Sequence, residues 1–107
     1  MTMQGLTALG DPTRQRIVEM LAERSLRAGE IASRFDVSAP AISQHLKALR
    51  KANLVRVRRD AQRRIYELNP EGVAELVEWF DRLRGFWSRR LDALENAIQR
   101  EVEKSKQ

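Results

Sequence analysis

Ser43, Gln44 and Lys47 are residues whose types and spacing could do chemistry on a partner. They lie among Ile42, Leu46 and Leu49, three apolar residues at helical spacing, so they fall on the opposite face of one helix. A glutamine amide donates and accepts at once, which suits Gln44 to the acceptor and donor that adenine shows in the major groove of DNA. Ser43 can reach a base or a phosphate. Ser38 and Ala39 stand at the leading end of the helix, where Ala39 can touch a thymine methyl. Lys47 and Arg50 suit phosphate. His45 lies at the edge of the apolar stripe and has two readings: a partly packed ring touching backbone or phosphate, or a contact to a base.

A second group could neutralise a polyanion. Residues 50–64 hold seven cations (Arg50, Lys51, Arg56, Arg58, Arg59, Arg63 and Arg64) against the single acid Asp60, a balance of +6. The whole chain of 107 residues carries only +5, so everything outside that stretch sums to −1. An excess this local, beside a helix with a polar outer face, points to nucleic acid rather than to solubility at large. Arg58, Arg59, Gln62, Arg63 and Arg64 would gather around a hairpin tip, where they suit phosphates or a narrow minor groove. A solvated strand edge kept from aggregating by its charge accounts for the same residues without a partner.

The inventory for catalysis is thin. With no cysteine there are no disulfides, thiol nucleophiles or thiolate metal sites, and one histidine excludes a multi-histidine metal site within one chain. Carboxylate sites stay open. No glycine-rich phosphate loop is present, and the one histidine sits on the helix expected to face DNA, so an enzyme is disfavoured and no cofactor is expected. No run of about 18 apolar residues is available to span a membrane. Met1-Thr-Met-Gln-Gly lacks the basic-then-apolar pattern of a signal peptide, which predicts a cytoplasmic protein.

These residues need a frame, and the sequence punctuates one. A chain of 107 residues predicts one small domain, with a core modest enough that a dimer interface would help it. Leu6 to Gly10 reads as a short helix closed by glycine. Asp11-Pro12 opens the next with a cap and a first-position proline, and Ile17, Val18 and Leu21 give it an inward face. Ser25 and Leu26 read as an extended link, and a third helix runs about Ala28 to Phe35, packing through Ile31, Ala32 and Phe35. After a tight turn at Asp36-Val37, Ser38 caps the helix that carries Gln44, and Asn53 ends it in left-handed backbone.

From Asn53 onward the period changes. Val55 and Val57 alternate with Arg56 and Arg58, and Arg64, Tyr66 and Leu68 share one parity, which predicts two strands linked by Asp60-Ala61-Gln62. Asn69-Pro70-Glu71 opens a last helix reaching about Glu103. Its apolar positions Val73, Leu76, Phe80, Leu83, Trp87, Leu91, Leu94 and Ile98 recur every three or four residues, a stripe too long for a small domain to cover alone. Gly85 inside it marks a kink or a close helix approach.

Helix, tight turn, capped helix and basic hairpin is the order of a winged helix-turn-helix. The predicted class is therefore mainly α with a small β-hairpin: helix-turn-helix over about 28–51, wing over 55–68, dimerisation helix over 70–103, all in a single domain of 1–107. Asp-Pro-Thr-Arg at 11–14, Ser-Ala-Pro-Ala-Ile-Ser-Gln-His-Leu-Lys-Ala-Leu at 38–49 and Arg-Arg-Ile-Tyr-Glu-Leu at 63–68 resemble the ArsR/SmtB family of bacterial winged-helix repressors. The tail Phe86-Trp-Ser-Arg-Arg-Leu-Asp-Ala-Leu-Glu is similar to a subgroup with an aromatic-rich terminal helix. The resemblance implies a homodimer that binds a pseudo-palindromic operator and represses transcription, commonly of its own operon. Leu6 and Leu9 of the first helix, with Phe80, Leu83, Trp87, Leu91 and Leu94 of the last, would form the seam, and a small-molecule effector is open and unidentified.

The family's arsenic- and cadmium-type sensors place cysteines where this chain has Arg27 and Gly29. Its zinc-type sensors use acid and histidine ligands on the last helix, and no histidine follows His45 here, so neither metal site carries over. Ala61 and Asn53 both stand where the family usually has glycine. The competing reading is a winged-helix module that binds a protein instead of DNA. The local +6 and an outer face of Ser, Gln and Lys without apolar anchors weigh against it.

Overall fold

Local capping chemistry sets where the helices begin and end. The computed structural model describes residues 2–106. Its elements run α1 (Thr2–Ala8), α2 (Pro12–Glu23), β1 (Leu26–Arg27), α3 (Ala28–Ala32), α4 (Ala39–Lys51), β2 (Val55–Asp60), β3 (Arg63–Leu68) and α5 (Pro70–Ser105). Asp11 accepts from the backbone N–H groups of Thr13 at 2.8 Å and Arg14 at 3.1 Å, and Pro12 takes the first position, so α2 starts where the sequence predicts. Ser38 caps α4 by accepting from the Ala41 N–H at 3.3 Å. At the far end of α4, Asn53 sits at φ 65°; its N–H donates to Arg50 and that of Leu54 to Leu49, the paired bonds of a Schellman stop.

Three boundaries differ from the sequence reading. α1 begins well before Leu6. α3 stops at Ala32 instead of Phe35, because the N–H groups of Arg34 and Phe35 bond only three residues back, to Ile31 and Ala32, and wind the chain into turns. Its start lacks a side-chain acceptor, since arginine has none. Glu30 instead reaches back to the Arg27 N–H at 3.0 Å, half of a capping box. The link at Ser25-Leu26 feeds a strand: β1 pairs with β3, Leu26 opposite Tyr66, and the hairpin becomes a three-stranded antiparallel sheet in the order β1-β3-β2.

The chain forms two compact units, one through Leu76 and one from Val77 onward, so the division falls inside α5. In the first unit Ile17, Leu21, Ile31, Ile42, Leu46, Leu49, Leu54 and Tyr66 meet in one buried core. The first turn of α5 is fastened there. Asn69 N–H donates to Leu54 O at 2.8 Å, its side-chain amide donates to Asn53 Oδ1 at 2.7 Å, and its Oδ1 accepts from Glu71 N–H at 3.2 Å. Gly72 is buried against the Asn53 carbonyl, where a Cβ would overlap the oxygen. In the second unit the helix runs unbroken through Gly85, and a Cβ there would meet only the Arg89 guanidinium at 3.7 Å among the described residues. No helix is long and apolar enough to cross a membrane among the described residues.

Candidate nucleic-acid interface

α4 buries one face and keeps the other free. Ile42, Leu46 and Leu49 are at most 1% exposed, while Ser38, Ala39, Ser43, Gln44, Lys47 and Arg50 are all exposed. The side chains of Ser43, Gln44, Lys47 and Arg50 have no hydrogen bond or ion pair among the described residues. Ser38 differs, its Oγ being engaged in the cap. The result is a helix with a fixed back and an unspent row of donors, acceptors and cations in front.

The hairpin beside it sorts its arginines by strand register. Arg56 pairs across to Glu67, and Arg58, on the same face, also reaches it: Nε to carboxylate oxygen 3.1 Å for Arg56 and 3.4 Å for Arg58. Ser25 adds a hydroxyl donor at 3.3 Å from β1's leading edge. Partial burial works to raise the Glu67 carboxyl's pKa, yet the hydrogen bonds and charge from Arg56, with Arg58 and Ser25, outweigh it and hold the group below its usual value. Arg59 stands opposite Arg64 on the other face, with no acid paired to either among the described residues. Like charges placed directly across a ladder repel. Arg63 lies opposite Asp60 without a salt bridge, and Gln62 is exposed at the tip next to Ala61, which is held at φ 59°. Arg50, Lys51, Arg59, Arg63 and Arg64 thus remain unpaired among the described residues.

His45 is half-buried, at the edge of the apolar face. Its Nδ1 accepts from Arg14 Nε at 3.1 Å and lies 4.0 Å from Asp11 Oδ1. Arg14 also donates through Nη1 to Ala8 O at 3.4 Å, so one guanidinium spans α1, the start of α2 and α4. The Asp11 carboxyl is held below its usual pKa chiefly by the Arg14 backbone N–H, against some desolvation, with Thr13 N–H and the nearby His45 and Arg14 adding to the lowering. Neither Arg14 nor Glu67 stands out in the sequence as a site residue. For Glu67 a signal exists, because it is the one acid of β3 and shares its strand with the basic run.

The residues predicted for a dimer seam fall into two groups. Leu6 and Leu9 are half-buried and pack on their own unit's core. In the second unit Phe80, Leu83, Trp87, Leu91 and Leu94 are 46–59% exposed, with Ile98 and Val102 continuing the row. Phe86 is also exposed, with the Arg90 guanidinium 4.9 Å from its ring centroid.

Comparison with known proteins follows the same outline. A family model described as bacterial regulatory protein, arsR family, matches residues 11–57, the span from the Asp11 cap to β2. The HTH-type transcriptional regulator Rv2034 of Mycobacterium tuberculosis is 47% identical over 94 residues, covering 88% of this chain and 85% of that protein. The transcriptional repressor SdpR of Bacillus subtilis is 36% identical over 72 residues, 67% of this chain and 80% of its own length. Among solved structures, a possible transcriptional regulator for arsenical resistance superposes with TM-score 0.66 at 40% identity, over 77% of this chain and 82% of that one. An ArsR-like transcriptional regulator from Rhodococcus sp. RHA1 gives TM-score 0.72 at 28% identity, over 89% and 90%. A capped α4 with a free polar face, an arginine hairpin and these relatives lead to one assignment: the chain belongs to the ArsR family of bacterial regulatory proteins, winged-helix transcriptional regulators.

Proposed function

We propose that this ArsR-family regulator acts as a homodimeric repressor that lays α4 into the major groove of a pseudo-palindromic operator and rests its hairpin on the flanking backbone. The observation that carries this is the contrast on α4 and the hairpin. Inward groups are buried or bonded, whereas Ser43, Gln44, Lys47, Arg59, Arg63 and Arg64 are exposed and unpartnered among the described residues. Gln44 reads adenine, Ser43 and Ala39 contact neighbouring positions, and Lys47 and Arg50 hold phosphates. Arg59 and Arg64 repel each other in the free chain, and a phosphate between them relieves that cost.

A protein-docking use of the same module is the weaker reading. Its partner would meet serine, glutamine and lysine on α4, with no apolar anchor among them.

The test is a substitution on α4. With a duplex that the full-length protein selects from a random-sequence library, Gln44→Ala should lose about 1–3 kcal/mol at one base position per half-site and leave binding to random DNA unchanged. Equal loss on both duplexes refutes the assignment of Gln44.

A further inference from the structure

Nδ1 of His45 already has a donor. A guanidinium Nε donates and has no acceptor capacity, so Arg14 Nε–H at 3.1 Å requires a lone pair on Nδ1. In a neutral ring the proton then sits on Nε2. That second nitrogen has no partner among the described residues and is not fully shielded from solvent. Along α4, His45 follows Gln44 by one residue and so stands about 100° further round the helix, as Ser43 does on the other side. A helix centred on Gln44 in a groove turns its flanks toward the groove walls, which are phosphates.

We propose that Arg14 is a positioning residue for DNA binding, fixing His45 as its Nε2–H tautomer so that this N–H donates to one backbone phosphate oxygen per half-site. The inference rests on the DNA-binding reading above and adds to it a pre-aimed donor controlled from α2. Arg14 reaches the DNA through His45, not by its own charge. The bond to Ala8 O ties the same guanidinium to the end of α1, so the ring is braced from two elements.

His45 is the chain's one histidine, so its ring nitrogens give one unambiguous set of signals. In ¹⁵N-labelled full-length protein without DNA, the ring should show a protonated Nε2 and an Nδ1 shifted by accepting a hydrogen bond. Arg14→Met should remove that shift. On the library-selected duplex, Arg14→Met should weaken binding five- to tenfold in the native background and less than twofold in a His45→Ala background. His45→Gln, whose amide nitrogen can occupy the Nε2 place, should retain more affinity than His45→Ala and make Arg14→Met silent. Methylphosphonate replacement of a single phosphate per half-site should abolish the penalty of His45→Ala. A protonated Nδ1, an equal Arg14→Met loss in both backgrounds, or rescue by a base analogue in place of a phosphate overturns the proposal. If the library yields no duplex, the DNA-binding reading falls and takes this proposal with it; a bound duplex with additive losses sinks the proposal alone. Unfolding temperatures of all variants within a few degrees of native keep the comparison free of misfolding, and Arg14→Lys replaces Arg14→Met if the latter drops further.

Discussion

Glu67 splits the hairpin's arginines into two sets, and the two should behave differently on DNA. Arg56 and Arg58 already share its carboxylate, while Arg59 and Arg64 face each other without an acid. Arg64→Ala should therefore weaken binding to every sequence alike and reduce the slope of log affinity against log salt by roughly 0.9 for each phosphate that is no longer neutralised. Arg58→Ala should change that slope by less than half as much. Anisotropy titrations at several salt concentrations read both values, and equal slopes would mean that the Glu67 pairing does not withhold Arg58 from the duplex. The basic run itself is plain in the sequence, because charge needs no geometry to be counted. Its partition is not, because it depends on which residue of β3 stands across from Arg56. The same limit hides Arg14, whose partner His45 lies 31 residues further on.

At the level of elements, two backbone positions are out of line with their side chains. Ala61 occupies φ 59° at the hairpin tip, a left-handed conformation that costs a side chain about 1 kcal/mol and glycine nothing. Ala61→Gly should raise unfolding stability by about that much in a denaturant titration, while an unchanged or lower stability would mean the turn carries no strain. Gly72 is the opposite case, with ordinary φ but no room: an added Cβ would overlap the Asn53 carbonyl oxygen and lie 2.7 Å from its carbon. Gly72→Ala should cost about 1–3 kcal/mol, the usual range for forcing bulk into a packed contact, and thermal unfolding would show it directly. Helix starts at Asp11 and Ser38, and the stop at Asn53, are legible in the sequence because each is a local bond between a cap and its own helix. β1 is not, since two residues are too few to show alternation and pair only with a strand some 40 positions away. Gly72 is hidden for a related reason: nothing in its neighbours announces that α5 presses on the loop after α4.

For the whole molecule, the unspent features are a polar face on α4, unpaired arginines at the hairpin and a row of apolar side chains on α5 from Phe80 to Val102. Phe80, Leu83, Trp87, Leu91 and Leu94, at 46–59% exposure, line one apolar stripe, the kind of surface that marks an interaction site. In the proposed homodimer a second copy of the chain would cover it, and a two-fold axis would present two α4 helices to DNA. That periodic stripe can be read from spacing alone, whereas the proposed partner lies beyond one chain's geometry. The proposed symmetry would then fix what the DNA must look like. The most direct measurement is selection of bound duplexes from a random-sequence library by the full-length protein, followed by sequencing. The predicted result is an inverted repeat whose half-site centres lie about 34 Å, one helical turn, or a multiple of it apart. Enrichment of no motif, or of a single unrepeated one, would contradict a paired, groove-reading α4.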